Sequence, residues 1–136
     1  MNKTVTLFTF SVALIILFVG IPLGWYTNTS NDQTPTWQQM SQQQLINELN
    51  GLDTVIVDLR EEILYEEGHI PGAVNIPFAE ITTRFTELDK NKKIIFVCHT
   101  GNMGESSSQF LIKNGFSDVA NLSGGMAGWS GPIFLK

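Results

Sequence analysis

Ile94-Ile-Phe-Val-Cys98-His-Thr-Gly-Asn-Met-Gly104 decides how the rest of the chain is read. Four apolar residues in a row, rich in β-branched side chains, mark a short strand buried on both faces. The strand runs straight into a thiol. A tight loop containing Gly101 follows, and then a helix, expected from Glu105 to Asn114 and ended by Gly115. In a strand–loop–helix of this kind the loop amides can all turn inward as a nest for an anion, and the helix N-terminus adds its positive end. A cysteine at the bottom of such a nest favours its thiolate, the form that acts as a nucleophile.

Working outward, the same alternation recurs. Thr54-Val-Ile-Val-Asp58 is a second short apolar run, Ala73-Val-Asn-Ile76 a third, closed by Pro77, and Val119-Ala-Asn-Leu122 a last one. Between them lie helical stretches. One starts at Ser41 with a capping-box pattern and stops near Asn50-Gly51. A second spans residues 61–67 before Gly68, a third spans 78–85, and a short one spans 124–129. Strands alternating with helices predict an α/β fold, a parallel sheet with helices on both faces. Ligands of such sheets bind beyond the carboxyl ends of the strands. Two candidate positions fall there, Asp58 with Arg60 and Cys98 with its loop.

Composition bounds the partners. The chain has 136 residues and a net charge of −5, with all charges but Lys3 and Asp32 in residues 37–136. An acidic domain without Lys/Arg clusters is not built to bind nucleic acid, where phosphate neutralisation supplies most of the affinity. Cys98 is the only cysteine, so no internal disulfide forms. One thiol and two histidines, with no paired spacing, give no metal site, and no cofactor is called for.

Residues 4–31 carry no charge, and Val5 to Leu23 is dominated by Leu, Ile, Val and Phe. That is about the roughly 20 residues a transmembrane helix needs, with Trp25 and Tyr26 at the interface position. A cleaved signal peptide would have a shorter apolar region and a small-residue cleavage site, which Pro22-Leu-Gly-Trp-Tyr does not offer. Residues 1–26 are therefore read as a transmembrane anchor or uncleaved signal, 27–36 as a polar linker, and 37–136 as one domain. Lys3 precedes the span and no Lys or Arg follows before Arg60, so the positive-inside rule sends the domain to the periplasmic or extracytoplasmic side.

Three stretches, taken together, resemble the rhodanese (thiosulfate sulfurtransferase) homology domain. They are Val57-Asp-Leu-Arg60 with Gly68-His-Ile-Pro-Gly-Ala-Val-Asn-Ile-Pro77, the loop from Cys98 to Met103 with its helix, and Gly124-Gly-Met-Ala-Gly-Trp129. The resemblance implies a three-layer fold with a five-stranded parallel sheet. It implies that Cys98 carries sulfur as a persulfide, moving it from a small donor such as thiosulfate or a persulfide to cyanide or a thiol, a protein thiol included. Amides of His99, Thr100, Gly101, Asn102 and Met103 would hold that sulfur. Gly68 to Pro77 and Gly124 to Trp129 are chiefly structural in this family.

The loop from Cys98 to Met103 has the six-residue length of sulfur-handling members. The related dual-specificity phosphatases have a loop one residue longer, closed by an arginine, whereas residues 98–112 contain no Arg or Lys. One departure concerns the donor. Many active members carry a cationic or hydroxyl side chain where this chain has Met103 and Gly104. Recognition of an anionic donor then falls to the amides, His99, and Arg60 or Arg84.

Blander readings stand beside these. His99 either polarises the donor or is a solvent-exposed loop residue; Asp58 either pairs with Arg60 or caps the helix containing Glu61. His69 reads as a turn-stabilising residue, Ser106, Ser107 and Ser108 as small residues for close helix–sheet packing, and Trp129 with Met126 as core. Glu61, Glu62, Glu66 and Glu67 read as a solvated face. Beside the sulfurtransferase stands a second function, a non-catalytic module that presents its loop to a protein partner; a thiol-based phosphatase or arsenate reductase is a weaker third.

Overall fold

A computed structural model describes residues 35–135. The expected anchor over residues 1–26 and all but the end of the linker over 27–36 lie outside the described residues. Among the described residues no helix is long and apolar enough to cross a membrane.

Five strands form one sheet: β1 (Gln38–Met40), β2 (Thr54–Asp58), β3 (Val74–Asn75), β4 (Lys93–Val97) and β5 (Val119–Leu122), in the order β1-β5-β4-β2-β3. Every pairing is parallel. Side chains along β4 alternate between two cores. Ile94, Phe96 and Cys98 face one layer with Ile81, Leu111 and Phe116; Ile95 and Val97 face the other with Leu45, Ile70 and Trp129. Both layers are covered by helices, which gives the three-layer α/β arrangement.

The covering helices are α1 (Gln42–Glu48), α2 (Glu62–Glu67), α3 (Ile81–Arg84), continued by a 3-10 turn over Phe85–Glu87, and α4 (Asn102–Lys113). Ser41 caps α1 with the expected reciprocal box, its side chain accepting from the Gln44 amide while Gln44 reaches back to the Ser41 amide. On α4 the buried residues are Gly104, Ser107, Ser108 and Leu111, a stripe at i, i+3, i+4 and i+7. Its small side chains bring the helix close to the sheet, and Ser107 and Ser108 are packing residues, as read from the sequence.

Several elements differ from the pattern the sequence predicts. β1 has no apolar signature and was not marked by the pattern. Its edge position explains that, since two of its three residues face solvent. β3 is shorter than expected, two residues within residues 73–76, and the helix expected over 78–85 is a single turn with a 3-10 extension. Helix α4 begins three residues earlier than expected, directly after Gly101. Trp129 is buried in the second core with Met126 packed against it, and its Nε1 donates to Pro132 O at 2.9 Å. His69 stacks on Tyr65 with ring centroids 3.7 Å apart and bonds Tyr65 O through Nδ1. It is a turn-stabilising residue.

Candidate functional site

Strand β4 delivers Cys98 to the carboxyl edge of the sheet, beside the end of β2, whose Leu59 amide donates to Val97 O at 2.8 Å. The thiol is 1% exposed. From there the chain must reverse into α4 within three residues. Gly101 makes that possible by adopting φ 110°, a backbone state that side chains resist. In this conformation the Gly101 amide points back and donates to Cys98 Sγ at 3.1 Å.

The carbonyls of the loop are held the other way. Cys98 O accepts from the Met126 amide at 2.7 Å, and His99 O from the Ala127 amide at 2.9 Å. Gly101 O accepts from the Glu105 amide at 3.1 Å and from Asn121 Nδ2 at 2.9 Å. With the carbonyls of Cys98, His99 and Gly101 committed outward, the amides of Thr100, Asn102 and Met103 have no protein acceptor among the described hydrogen bonds. They are free to bond an anion lodged over the sulfur.

The 3-10 turn over Gly125–Gly128 supplies two of those braces. Gly125 lies so close beneath the loop that a Cβ there would run into Cys98 O and the His99 carbonyl. The Gly-Gly sequence that reads as structural is thus the floor of the loop.

Around the sulfur the candidate residues are placed unevenly. Thr100 and Asn102 are exposed, and Met103 is partly buried against the core that contains Cys98. His99 is 44% exposed in its side chain, and its Nε2 sits 3.1 Å from Glu61 Oε2. Glu61 belongs to the expected solvated face, yet it reaches across to the loop. Its backbone hydrogen bond, and next the bond to His99, hold its carboxyl below the usual carboxylate range.

Arg60 departs from the expectation of a substrate-binding cation. Its guanidinium is buried and committed: Nε and Nη2 donate to both oxygens of Asp58, the shortest at 2.6 Å, and Nη2 also to Gly68 O at 2.8 Å. Asp58 Oδ1 further accepts the Arg60 amide at 3.0 Å. The short β2–α2 connection folds the two side chains onto each other, so Asp58 pairs with Arg60 and does not cap α2. Arg84 is likewise engaged, by Glu80 and Glu87. His99 is the basic side chain that the loop itself carries.

Sequence reading missed Asn121. It looks like an ordinary member of β5, and only its register opposite Phe96, beneath Gly104, reveals that it bonds the loop.

The comparisons agree with this fold. A family model described as Rhodanese-like domain matches residues 41–132. A protein of Bacillus subtilis (strain 168) named "Putative sulfur carrier protein YrkF" is 42% identical over 76 residues, 56% of this chain and 41% of that protein, so the chain spans well under half of its length. The thiosulfate sulfurtransferase GlpE of Pseudoalteromonas translucida (strain TAC 125) is 32% identical over 93 residues, 68% of this chain and 89% of that one. Among solved structures, a rhodanese-like domain protein from Staphylococcus aureus superposes with a TM-score of 0.66 at 29% identity, covering 73% of this chain and 98% of that one. A rhodanese-related protein from Thermoplasma volcanium gives 0.67 at 24% identity, covering 73% and 99%. With a family model matched over well more than half its length and the fold in place around Cys98, this chain belongs to the rhodanese-like domain family.

Proposed function

We propose that the domain is a sulfurtransferase in which Cys98 accepts a sulfane sulfur and passes it on. The observation that carries the reading is the polarity of the loop: its carbonyls are tied outward, and the Gly101 amide donates to Sγ. In the first step the Cys98 thiolate attacks the outer sulfur of thiosulfate. A Cys98–S bond forms, the donor S–S bond breaks, and sulfite leaves with the electron pair. In the second, an acceptor thiolate attacks the terminal sulfur of the Cys98 persulfide, and the Cys98 thiolate is regenerated. A persulfide donor enters the same way, with a thiolate leaving in place of sulfite. The free amides of Thr100, Asn102 and Met103 are suited to the charge on the terminal sulfur. The relatives named for sulfur transfer and sulfur carriage support this reading.

A second reading, a binding module that presents its loop to a protein partner, draws on the commitment of Arg60 and Arg84 elsewhere. Such a loop holds a dianionic donor less firmly, so we place persulfides ahead of thiosulfate as donors. The anchor and the extracytoplasmic placement rest on the apolar N-terminal sequence and its lone Lys3. Protease accessibility of the domain in intact cells and in permeabilised cells tests them.

The deciding experiment is intact-mass measurement of the full chain after exposure to thiosulfate and, separately, to a persulfide donor. A gain of one sulfur that maps to Cys98 and disappears on adding cyanide or a thiol is expected. No gain with either donor, while the thiol is free and reduced, overturns the transferase and leaves the binding module.

A further inference from the structure

We propose that Asn121 is a positioning residue for the sulfur, holding the Gly101–Asn102 peptide and so limiting rotation about Gly101, whose amide on the other side of its Cα is aimed at Cys98 Sγ. The inference rests on the sulfurtransferase reading and adds to it a residue from the opposite side of the loop.

Three contacts form a chain. Asn121 Nδ2 donates to Gly101 O at 2.9 Å, Gly101 O also accepts the Glu105 amide, and the Gly101 amide donates to Sγ at 3.1 Å. Glycine has wide conformational freedom, and at φ 110° nothing in its own side chain holds Gly101 in place. Two donors on its carbonyl fix the following peptide and so limit rotation about Gly101. Asn121 is the donor that belongs to neither the loop nor α4. It stands on β5, in register with Phe96 of β4, and is therefore fixed by the sheet.

The cost of keeping Asn121 argues for this role. It is 1% exposed, and its Oδ1 has no hydrogen-bond partner among the described residues. A buried unsatisfied amide oxygen is destabilising, and an aliphatic residue on β5 would avoid that cost. The orientation is also locked. A flip would set Oδ1 against the Gly101 carbonyl, and Oδ1 as it stands is wedged against Gly104, where any Cβ would collide with it. Gly104 thus makes room for Asn121. The second contact of Nδ2, to Gln39 Oε1, is longer at 3.4 Å and lies on the solvent side.

The test uses the full-length chain, in which Cys98 is the only thiol. The ultraviolet absorbance of the thiolate is followed against pH, with Cys98→Ser as the background. Asn121→Ala and Asn121→Asp remove or invert the donor. Each is expected to raise the midpoint of thiolate formation by about one pH unit. Gln39→Met, which leaves the bond to Gly101 intact, is expected to keep the wild-type midpoint. Asn121 variants that are folded by circular dichroism, less stable to heat, and unchanged in midpoint would make Asn121 a packing residue and overturn the proposal. If neither variant folds, NMR of the wild-type chain decides. The Asn121 side-chain amide must shift with the same midpoint as the Gly101 amide when Cys98 ionises, and an unresponsive Asn121 signal overturns the proposal. Because this readout needs no donor, a wild-type chain that takes up no sulfur defeats the transferase reading alone.

Discussion

Glu61 Oε2 lies 3.1 Å from His99 Nε2 and ties the start of α2 to the residue after Cys98. Both side chains are partly exposed to solvent, which screens the pair, so it contributes little to stability. It governs instead the charge at the mouth of the loop. As a carboxylate, Glu61 places a negative charge beside the loop, which repels an anionic donor. Glu61→Gln is expected to raise the rate of sulfur uptake from thiosulfate roughly two- to fivefold at low salt, fading at high salt. Uptake from a neutral persulfide donor stays the same. The sign with pH follows from the lowered carboxyl pKa of Glu61. The effect is present while Glu61 is ionised, and it is lost only as pH falls through that depressed value. Stopped-flow uptake as a function of pH and salt checks it; equal rates for the variant and the wild type with thiosulfate would remove Glu61 from donor selection.

The Asp58–Arg60 pair predicts the opposite separation, stability without chemistry. Side chains 1% and 9% exposed make it a buried pair, and removing one partner leaves the other buried and uncompensated. Asp58→Ala is expected to cost about 3–5 kcal/mol in denaturant unfolding. Arg60→Lys also destabilises, because an ammonium cannot span both Asp58 oxygens and Gly68 O as the guanidinium does. At temperatures where Arg60→Lys remains folded, its sulfur uptake is expected to match the wild type within about twofold. A selective loss of uptake from thiosulfate would return Arg60 to donor binding.

Cys98→Ser tests the carrier itself. The thiol is 1% exposed and packs in the core formed by Ile94, Phe96 and Leu111. The near-isosteric hydroxyl is expected to change unfolding free energy by less than about 1.5 kcal/mol, with complete loss of sulfur uptake by intact mass. Residual turnover in this variant would exclude a Cys98 persulfide.

Much of this fold is written in short apolar runs. Four strands announce themselves as short apolar runs, three of them inner strands of the sheet, and the thiol at the end of the most apolar one marks the site. What could not be read depends on partners distant in sequence. Gln38-Gln-Met40 is a strand only because β5 is there to pair with it, Gln38 opposite Ala120 and Met40 opposite Leu122. The early start of α4 follows from the left-handed Gly101, which replaces the side-chain cap that marks most helix starts. The binding of Arg60 to Asp58 was one of two open readings, and only the fold chooses between them. Asn121 and Glu61 carry no motif; one is an ordinary strand residue and the other an ordinary surface charge until the loop lies beside them.

Gly104 predicts what happens when the helix start is filled. A methyl group there meets Asn121 Oδ1 directly and lies 3.4 Å from Phe96 Cβ, so neither neighbour is a flexible tip that can swing away. Gly104 has a helical backbone, and alanine favours helix by up to about 1 kcal/mol over glycine. Overpacking of a buried site costs about 1–3 kcal/mol, so the clash outweighs the propensity gain. Gly104→Ala is therefore expected to be destabilising by about 1–2 kcal/mol. The collision also displaces Asn121, so the variant is expected to raise the midpoint of thiolate formation in the same direction as Asn121→Ala. Combining Gly104→Ala with Asn121→Ala removes the obstacle, and the double variant should be more stable than the two separate losses summed. Denaturant unfolding of the four proteins in that cycle measures the coupling. Strict additivity would show that Gly104 and Asn121 do not constrain one another.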